Sequence, residues 1–237
     1  GATVWFWNSP KWLYALAVDL LTAPHIPQVV SMSWGWAQDR QCDITECGAN
    51  LTSQQYVARV NFEYLKLALR GVTVVAASGD AGAPGRTNEG CDPARPVNPV
   101  FPGSSPYVLS VGATVLQASN ATLNFSTPLC RQHGCPTGST ELALSFETVG
   151  WTGGGGFDRY SPRTPWWQAE AVAGYLATAT SLPPAFHRQG RAYPDVSAVG
   201  HSCPTVLGGE LSAVDGTSCS APVVAGLVAW SSRCRKL

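Results

Sequence analysis

The sequence predicts an α/β fold: a doubly wound, mostly parallel sheet with helices on both faces. Three observations carry this. Short apolar runs bounded by turn residues alternate with longer stretches of helical period. One of those runs, Val72–Ala77, is apolar throughout, as a strand covered on both faces must be. The apolar share of the 237 residues is 45%, enough for a sizeable core, and the length allows one large α/β domain or two small ones.

The elements follow in order. Gly1-Ala2-Thr3-Val4-Trp5-Phe6-Trp7 reads as a strand already under way. It does not begin with Met, and no charged segment, apolar stretch and cleavage site precedes it, so an internal piece of a longer protein is expected. Pro10 to Thr22 has helical period at Trp12, Leu13, Leu16, Ala17 and Leu20, with Pro10 suited to the first turn. Gln28 to Trp34 is a short buried strand. Thr52 to Arg70 is a second helix, apolar along Tyr56, Val60, Phe62, Tyr64, Leu67 and Ala68, and Gly71 ends it.

Val72–Ala77 and Tyr107 to Leu116 are the next strands. Residues 80 to 106, with six prolines, read as loop, and 117 to 142 as an irregular insertion. Trp151-Thr152-Gly153-Gly154-Gly155-Gly156-Phe157 is a glycine run without the following helix that a phosphate cradle needs. It is either a flexible loop or a bare backbone surface along which an extended peptide lies. Glu170 to Ala179 is a short helix, and Gly216 to Trp230 closes the pattern with a helix over Ala221–Trp230. The strand–helix–strand–helix–strand order is that of doubly wound sheets.

Composition excludes several partners. Fifteen basic residues balance 15 acidic ones, so no charge excess draws the chain to nucleic acid or an anionic membrane. No apolar run reaches the length of a bilayer span. Only 13% of residues are charged, about half the usual share. Eight cysteines and the sequons at Asn50, Asn120 and Asn124 point to an oxidising compartment of the secretory pathway. Cys42 with Cys47 and Cys130 with Cys135 are the closest spaced and the expected bridges. No histidine follows either pair at zinc-finger spacing. Cys219 reads as a buried thiol rather than half of a bridge.

Two stretches suggest chemistry. In Asp215-Gly216-Thr217-Ser218-Cys219-Ser220-Ala221-Pro222, Ser218 enters a helix whose free N–H groups and positive end favour a nearby oxyanion. Taken alone, the same pattern also fits an ordinary helix cap. In Val74-Val75-Ala76-Ala77-Ser78-Gly79-Asp80-Ala81-Gly82, a buried strand runs into a loop at its carboxyl end, where open α/β sheets build their sites. Alone, Asp80 also fits a turn aspartate bonded to its own loop.

Together the two stretches resemble the sedolisins, the serine-carboxyl peptidases. Gly216 to Pro222 is similar to the nucleophile motif of subtilisin-like peptidases, and Asp80 stands where subtilisins have an oxyanion asparagine. Phe101 to Gly112, Gly154 to Phe157 and Arg191 to Ala198 fit the same family. Glu170 to Leu176 and Leu182 to Pro184 lean toward its tripeptidyl-peptidase branch. Residues 231–237 depart from the pattern.

The resemblance implies a subtilisin-like fold and hydrolysis of peptides through an acyl-enzyme on Ser218, with Asp80 in the oxyanion hole. It implies that residues 1–237 are part of a catalytic domain. The family's base, a glutamate assisted by an aspartate four residues later, would precede Gly1. Its calcium ligands would follow Leu237, so calcium is expected only in the longer protein, with a pro-segment upstream. Ser33-Trp34-Gly35 and Ala77-Ser78-Gly79 resemble the segments that flank an extended peptide substrate, which would pair with an exposed edge as an added strand. Trp34 also suits a core.

An oxyanion donor must carry a proton, so Asp80 implies activity in acid that fades toward neutral pH. The implied location is lysosomal or secreted. A subtilisin base histidine sits in a His-Gly-Thr-His context, which His25, His133, His187 and His201 lack; these read as surface or loop residues. An endopeptidase of the same family, or an inactive relative that only binds, are the competing readings. Lacking its base, the segment by itself is expected to be inactive.

Overall fold

A computed structural model describes residues 3–9, 11–48, 50–88, 90–92, 94–117, 140–183 and 185–234. The expected Cys130–Cys135 bridge, the sequons at Asn120 and Asn124, and His133 lie outside these residues.

The elements run α1 (Leu13–Thr22), β1 (Val29–Met32), β2 (Trp36–Ala37), α2 (Ser53–Leu69), β3 (Thr73–Ala77), β4 (Val100–Phe101), β5 (Leu109–Gln117), β6 (Thr140–Ala143), α3 (Phe146–Val149), β7 (Gly156–Phe157), α4 (Ala169–Thr178), β8 (Ala192–Tyr193), β9 (Val196–Val199), β10 (Cys203–Leu207), β11 (Glu210–Val214) and α5 (Thr217–Cys234). β1, β3, β5 and β9 are parallel, with Ser31 beside Val75, Ala76 beside Ser110, and Gly112 beside Ser197. β6 extends the sheet antiparallel to β5. The α/β class, with helices on both faces, holds.

The period of two along β3 decides which helix packs where. Val74 and Ala76 join Leu13, Ala17 and Leu20 of α1 and Tyr56, Val60, Tyr64 and Leu67 of α2 in one core. Val75 and Ala77 face the other way and meet Val111 of β5 and Ala221 and Ala225 of α5. Each fully buried aliphatic side chain contributes roughly 1.5–3 kcal/mol. α2 starts at a capping box, in which the Thr52 side chain accepts the Gln55 N–H and Gln55 accepts the Thr52 N–H. Gly71 supplies the left-handed turn that ends it, at φ 78°.

α5 lays a second stripe outward. Val223, Leu227 and Trp230, one helical face, are 53%, 59% and 69% exposed.

Several expectations change. Residues 3–9 form no strand; Val4 and Phe6 are largely exposed, and an apolar run becomes a strand only beside a partner that takes up its backbone groups. The 80–106 loop contains β4, which pairs antiparallel with β2 at Trp36–Phe101 and Ala37–Val100. The 117–142 segment gives way at Thr140 to β6, whose pairing with β5 supplies the order that its local sequence does not.

The glycine run lies against the chain's own backbone instead of forming an open shelf. Gly154 donates its N–H to the Gly79 carbonyl at 2.5 Å, and Ala81 bridges to Thr152. A Cβ on Gly154 would come 2.1 Å from the Ser78 carbonyl oxygen. Bare backbone is needed here because two segments of this protein touch.

Candidate active site

The site forms at the carboxyl ends of β1 and β3, where an open α/β sheet leaves a crevice. A cleft there is lined by Ser33, Trp34, Gly35, Ala77, Gly79, Asp80 and Ser218, together with Arg86, Val100 and Thr217. β1 carries Ser33–Gly35, β3 carries Ala77–Asp80, and α5 carries Thr217 and Ser218. Residues far apart in the chain thus meet in one small space.

Ser218 is exposed at the start of α5. Gly216 takes φ 144°, a left-handed region closed to most side chains, and turns the chain into the helix. The Cys219 N–H returns to the Gly216 carbonyl at 3.0 Å. Pro222 is the sixth residue of α5, inside the helix rather than in its first turn; it has no N–H to give the Ser218 carbonyl, which accepts the Ser33 hydroxyl instead. The Ser218 hydroxyl donates to the Ser33 carbonyl at 3.1 Å, and the Ser33 hydroxyl donates to the Ser218 carbonyl at 2.8 Å. This reciprocal pair fixes the turn that carries Ser218 against the end of β1.

Asp80 is half-buried and reaches the same helix start. Its Oδ1 accepts the Thr217 N–H at 2.8 Å and lies 2.7 Å from the Thr217 hydroxyl. The Gly79 N–H also donates to the Thr217 hydroxyl, at 3.2 Å. Thr217 is fully buried and joins the two catalytic candidates, being bonded to Asp80 and next to Ser218 in sequence. Its role was legible in principle, since a Thr between a turn glycine and a helix serine suits a cap.

The other expected residues separate. Trp34 is 55% exposed at the cleft mouth, not in a core, and the Arg86 guanidinium stands 5.1 Å from its ring centre. Gly35 packs its bare Cα against β4; a Cβ there would meet Val100 at 2.7 Å. Gly79 lines the cleft, but its N–H and carbonyl are taken by Thr217 and Gly154, so they are not offered to a substrate. Ser78 is fully buried and does not line the cleft. β3 is flanked by β1 and β5, whereas β1 is at the sheet edge among the described residues and so is the one open to an added strand. Asn50 is exposed, as a glycosylated asparagine must be. Cys42 and Cys47 are joined.

Among the described residues no histidine lines the cleft. His201, read as a surface or loop residue, lies in the bend between β9 and β10 with its side chain 11% exposed and Nδ1 3.0 Å from an Asp215 oxygen. Asp80 is the one carboxyl among the lining residues, so no general base stands in the cleft as described. Sequence reasoning also missed a buried ion pair. Arg191, 2% exposed, binds Asp195, and Asp195 accepts the Ser110 N–H at 2.7 Å. It locks β8 and β9 to β5 beneath the site. No local signal marked it: Arg191 to Asp195 is strand and loop, not a helix on which charges four apart would be neighbours.

An α/β sheet flanked by helices, with a serine at a helix start and a carboxyl facing it across a strand-end cleft, is the architecture of the subtilisin-like proteins. The family model described as "Subtilase family" matches residues 7–233, and the chain belongs to that family, as a member of its sedolisin type. It is 43% identical over 235 residues to physarolisin of Physarum polycephalum, covering 97% of this chain and 41% of that protein. It is 33% identical over 243 residues to tripeptidyl-peptidase 1 of Homo sapiens, covering 96% and 36%. The chain thus spans about two fifths of the length of these curated relatives. A Pseudomonas sedolisin (serine-carboxyl proteinase) structure, complexed with two molecules of pseudo-iodotyrostatin, superposes with TM-score 0.60 at 22% identity. That match covers 95% of this chain and 52% of the other, and it speaks for the fold alone.

Proposed function

We propose that this chain carries the nucleophile and the oxyanion donor of an acid serine-type peptidase that releases tripeptides from free peptide N-termini. The observation that supports it is the meeting of Ser218 and Asp80 in one cleft, with Asp80 anchored on the residue before the nucleophile. The Ser218 oxygen attacks the scissile carbonyl carbon, and its proton passes to a base. The C–O bond that forms and the C–N bond that breaks leave an acyl group on Ser218, which water then removes. A neutral Asp80 donates a hydrogen bond to the carbonyl oxygen as it becomes negative. The Ser218 N–H, in the open first turn of α5, supports the same charge.

The base is the carboxylate that the family resemblance puts ahead of Gly1; among the described residues no carboxyl other than Asp80 lines the cleft. Before attack, the Ser218 hydroxyl must leave the Ser33 carbonyl and turn to that base. Calcium, as the family resemblance implies, would be held by residues after Leu237. No step runs through it.

Substrate enters past Trp34 and lies along the outer edge of β1. An apolar cavity of about 570 Å³, walled by Gly155, Phe157, Trp167, Tyr175 and Tyr193, adjoins the glycine run and suits an apolar side chain. The tripeptidyl specificity is taken from the tripeptidyl-peptidase 1 relatives. The Cys42–Cys47 disulfide and the exposed Asn50 favour a secreted or lysosomal protein made with a pro-segment. No helix among the described residues is long and apolar enough to cross a membrane.

The test uses the full-length protein after removal of any pro-segment. It should hydrolyse peptides in acid, and Ser218→Ala should lower kcat by about 10⁴–10⁶. Free peptides should yield tripeptides, and N-acetylated peptides should resist. Cleavage of acetylated peptides at internal bonds would replace exopeptidase with endopeptidase action. Acid hydrolysis that survives Ser218→Ala, or none by the wild type, would overturn the whole reading. Residues 1–237 alone should show no turnover dependent on Ser218.

A further inference from the structure

The residue after the nucleophile is a cysteine, and it has a cysteine neighbour. Cys203 opens β10 and Cys219 lies in the first turn of α5. Both thiols are free and partly accessible. Two contacts bring them together through one residue. Cys203 sits opposite Val214 in the β10–β11 ladder, and Cys219 directs its thiol at the Val214 carbonyl, 3.9 Å away. The Cys203 thiol points at the Val199 carbonyl at the same distance, and the Cys219 thiol lies beside the ladder position that holds Cys203. Cys219 is a free thiol, as expected, but half-buried rather than buried.

We propose that Cys203 and Cys219 form an oxidisable dithiol whose closure to a disulfide ties the β10–β11 hairpin to the turn that carries Ser218. It does not depend on the peptidase reading, because it rests on the two thiols and the hairpin alone. Thiols that meet the same hairpin residue need only turn toward one another to reach a disulfide's length of roughly 2 Å. The same chain already holds a disulfide at Cys42–Cys47.

The oxidant is a small-molecule disulfide of the glutathione class. The Cys219 thiol loses its proton, and its sulfur attacks one sulfur of the oxidant. The oxidant's S–S bond breaks, and one small thiolate leaves and takes a proton. The Cys203 thiol, deprotonated in turn, attacks Cys219 in the mixed disulfide and displaces the second small thiol. Two protein thiols are thereby oxidised and one small disulfide is reduced to two thiols. The order follows from environment. Burial, the neighbouring Cys219 thiol and the nearby Asp215 carboxylate push the Cys203 thiol up to about 12, so it is the resolving partner and not the first attacker.

The probe is oxidised glutathione, and the sample is the full-length protein, with Cys203→Ser as the comparison. After exposure, non-reduced peptide maps of the wild type should contain one peptide pair joined through Cys203 and Cys219, and neither should accept iodoacetamide. The oxidised wild type should melt at a higher temperature than the reduced one. Cys203→Ser, unable to resolve, should hold one glutathione on Cys219 and show no such rise. The proposal is overturned if both thiols of the exposed wild type alkylate freely. It is equally overturned if Cys219 of the wild type stops at the glutathione adduct, or if the map pairs either cysteine with another partner.

Discussion

Oδ1 of Asp80 accepts the backbone N–H of Thr217 at 2.8 Å, so one oxygen of the carboxyl is committed to the start of the nucleophile helix. The other oxygen faces Gly216, where a Cβ would stand 3.4 Å from it, and the cleft beyond. An acid that serves as donor therefore carries its proton on Oδ2. This division gives Asp80 two jobs that a substitution can separate.

Asp80→Asn keeps an acceptor for Thr217 and places an amide donor where the acid proton was. The amide donates at every pH, whereas the carboxyl donates only while protonated, so its contribution falls as pH rises. The wild-type rate should decline toward neutral pH, and the part of that decline due to Asp80 should vanish in Asp80→Asn. Asp80→Ala should lower kcat by about 10²–10³ in acid. Profiles of kcat from about pH 3 to about pH 8 on the full-length protein check both. An unchanged profile in Asp80→Asn would remove Asp80 from the oxyanion site.

Thr217→Val keeps the shape of a fully buried side chain and deletes its hydroxyl. The Gly79 N–H then loses its acceptor, and Asp80 keeps only the backbone bond. A loss of about 1–3 kcal/mol in stability is expected from the stranded donor. Urea unfolding measures it, and kcat should fall while KM changes little.

Trp34→Ala removes a half-exposed ring from the cleft mouth and leaves Arg86 without its aromatic partner. If the ring receives the incoming peptide, KM should rise several-fold with kcat nearly unchanged. Equal losses in kcat and kcat/KM would place Trp34 in the chemistry instead.

Gly154→Ala drives a methyl group to 2.1 Å from the Ser78 carbonyl oxygen, a distance that no side-chain motion relieves. A loss of about 1–3 kcal/mol or more is expected. Gly174→Ala in α4, where nothing lies within 4 Å, should instead stabilise by roughly 0.5–1 kcal/mol. Melting curves of the pair separate the need for bare backbone from a general intolerance of alanine.

How much of this was legible follows physical lines. α2, β3 and α5 were readable because period, cap and end signals lie within a few residues of one another. The cleft was readable because Gly216 to Pro222 and Ser78 to Asp80 are contiguous stretches that a family resemblance can hold. β2 with β4 was not: two residues pair with two others far along the chain, and no local pattern records that. The β10–β11 hairpin was missed although Gly208-Gly209, both at positive φ, is a hairpin turn signal between two short runs. Overlooking it hid Cys203 beside Cys219 and His201 beside Asp215. Ser78 was misplaced because alternation along the end of β3 sends its side chain into the interior while its neighbours reach the cleft.

The outward stripe of Val223, Leu227 and Trp230 bears on handling as well as on folding. A greasy ridge of that kind, on the very rod that begins with the reactive hydroxyl, is what chaperones seize and what makes soluble chains clump. A detergent, or a lysine placed along the ridge, should therefore raise the share of the chain that stays in solution.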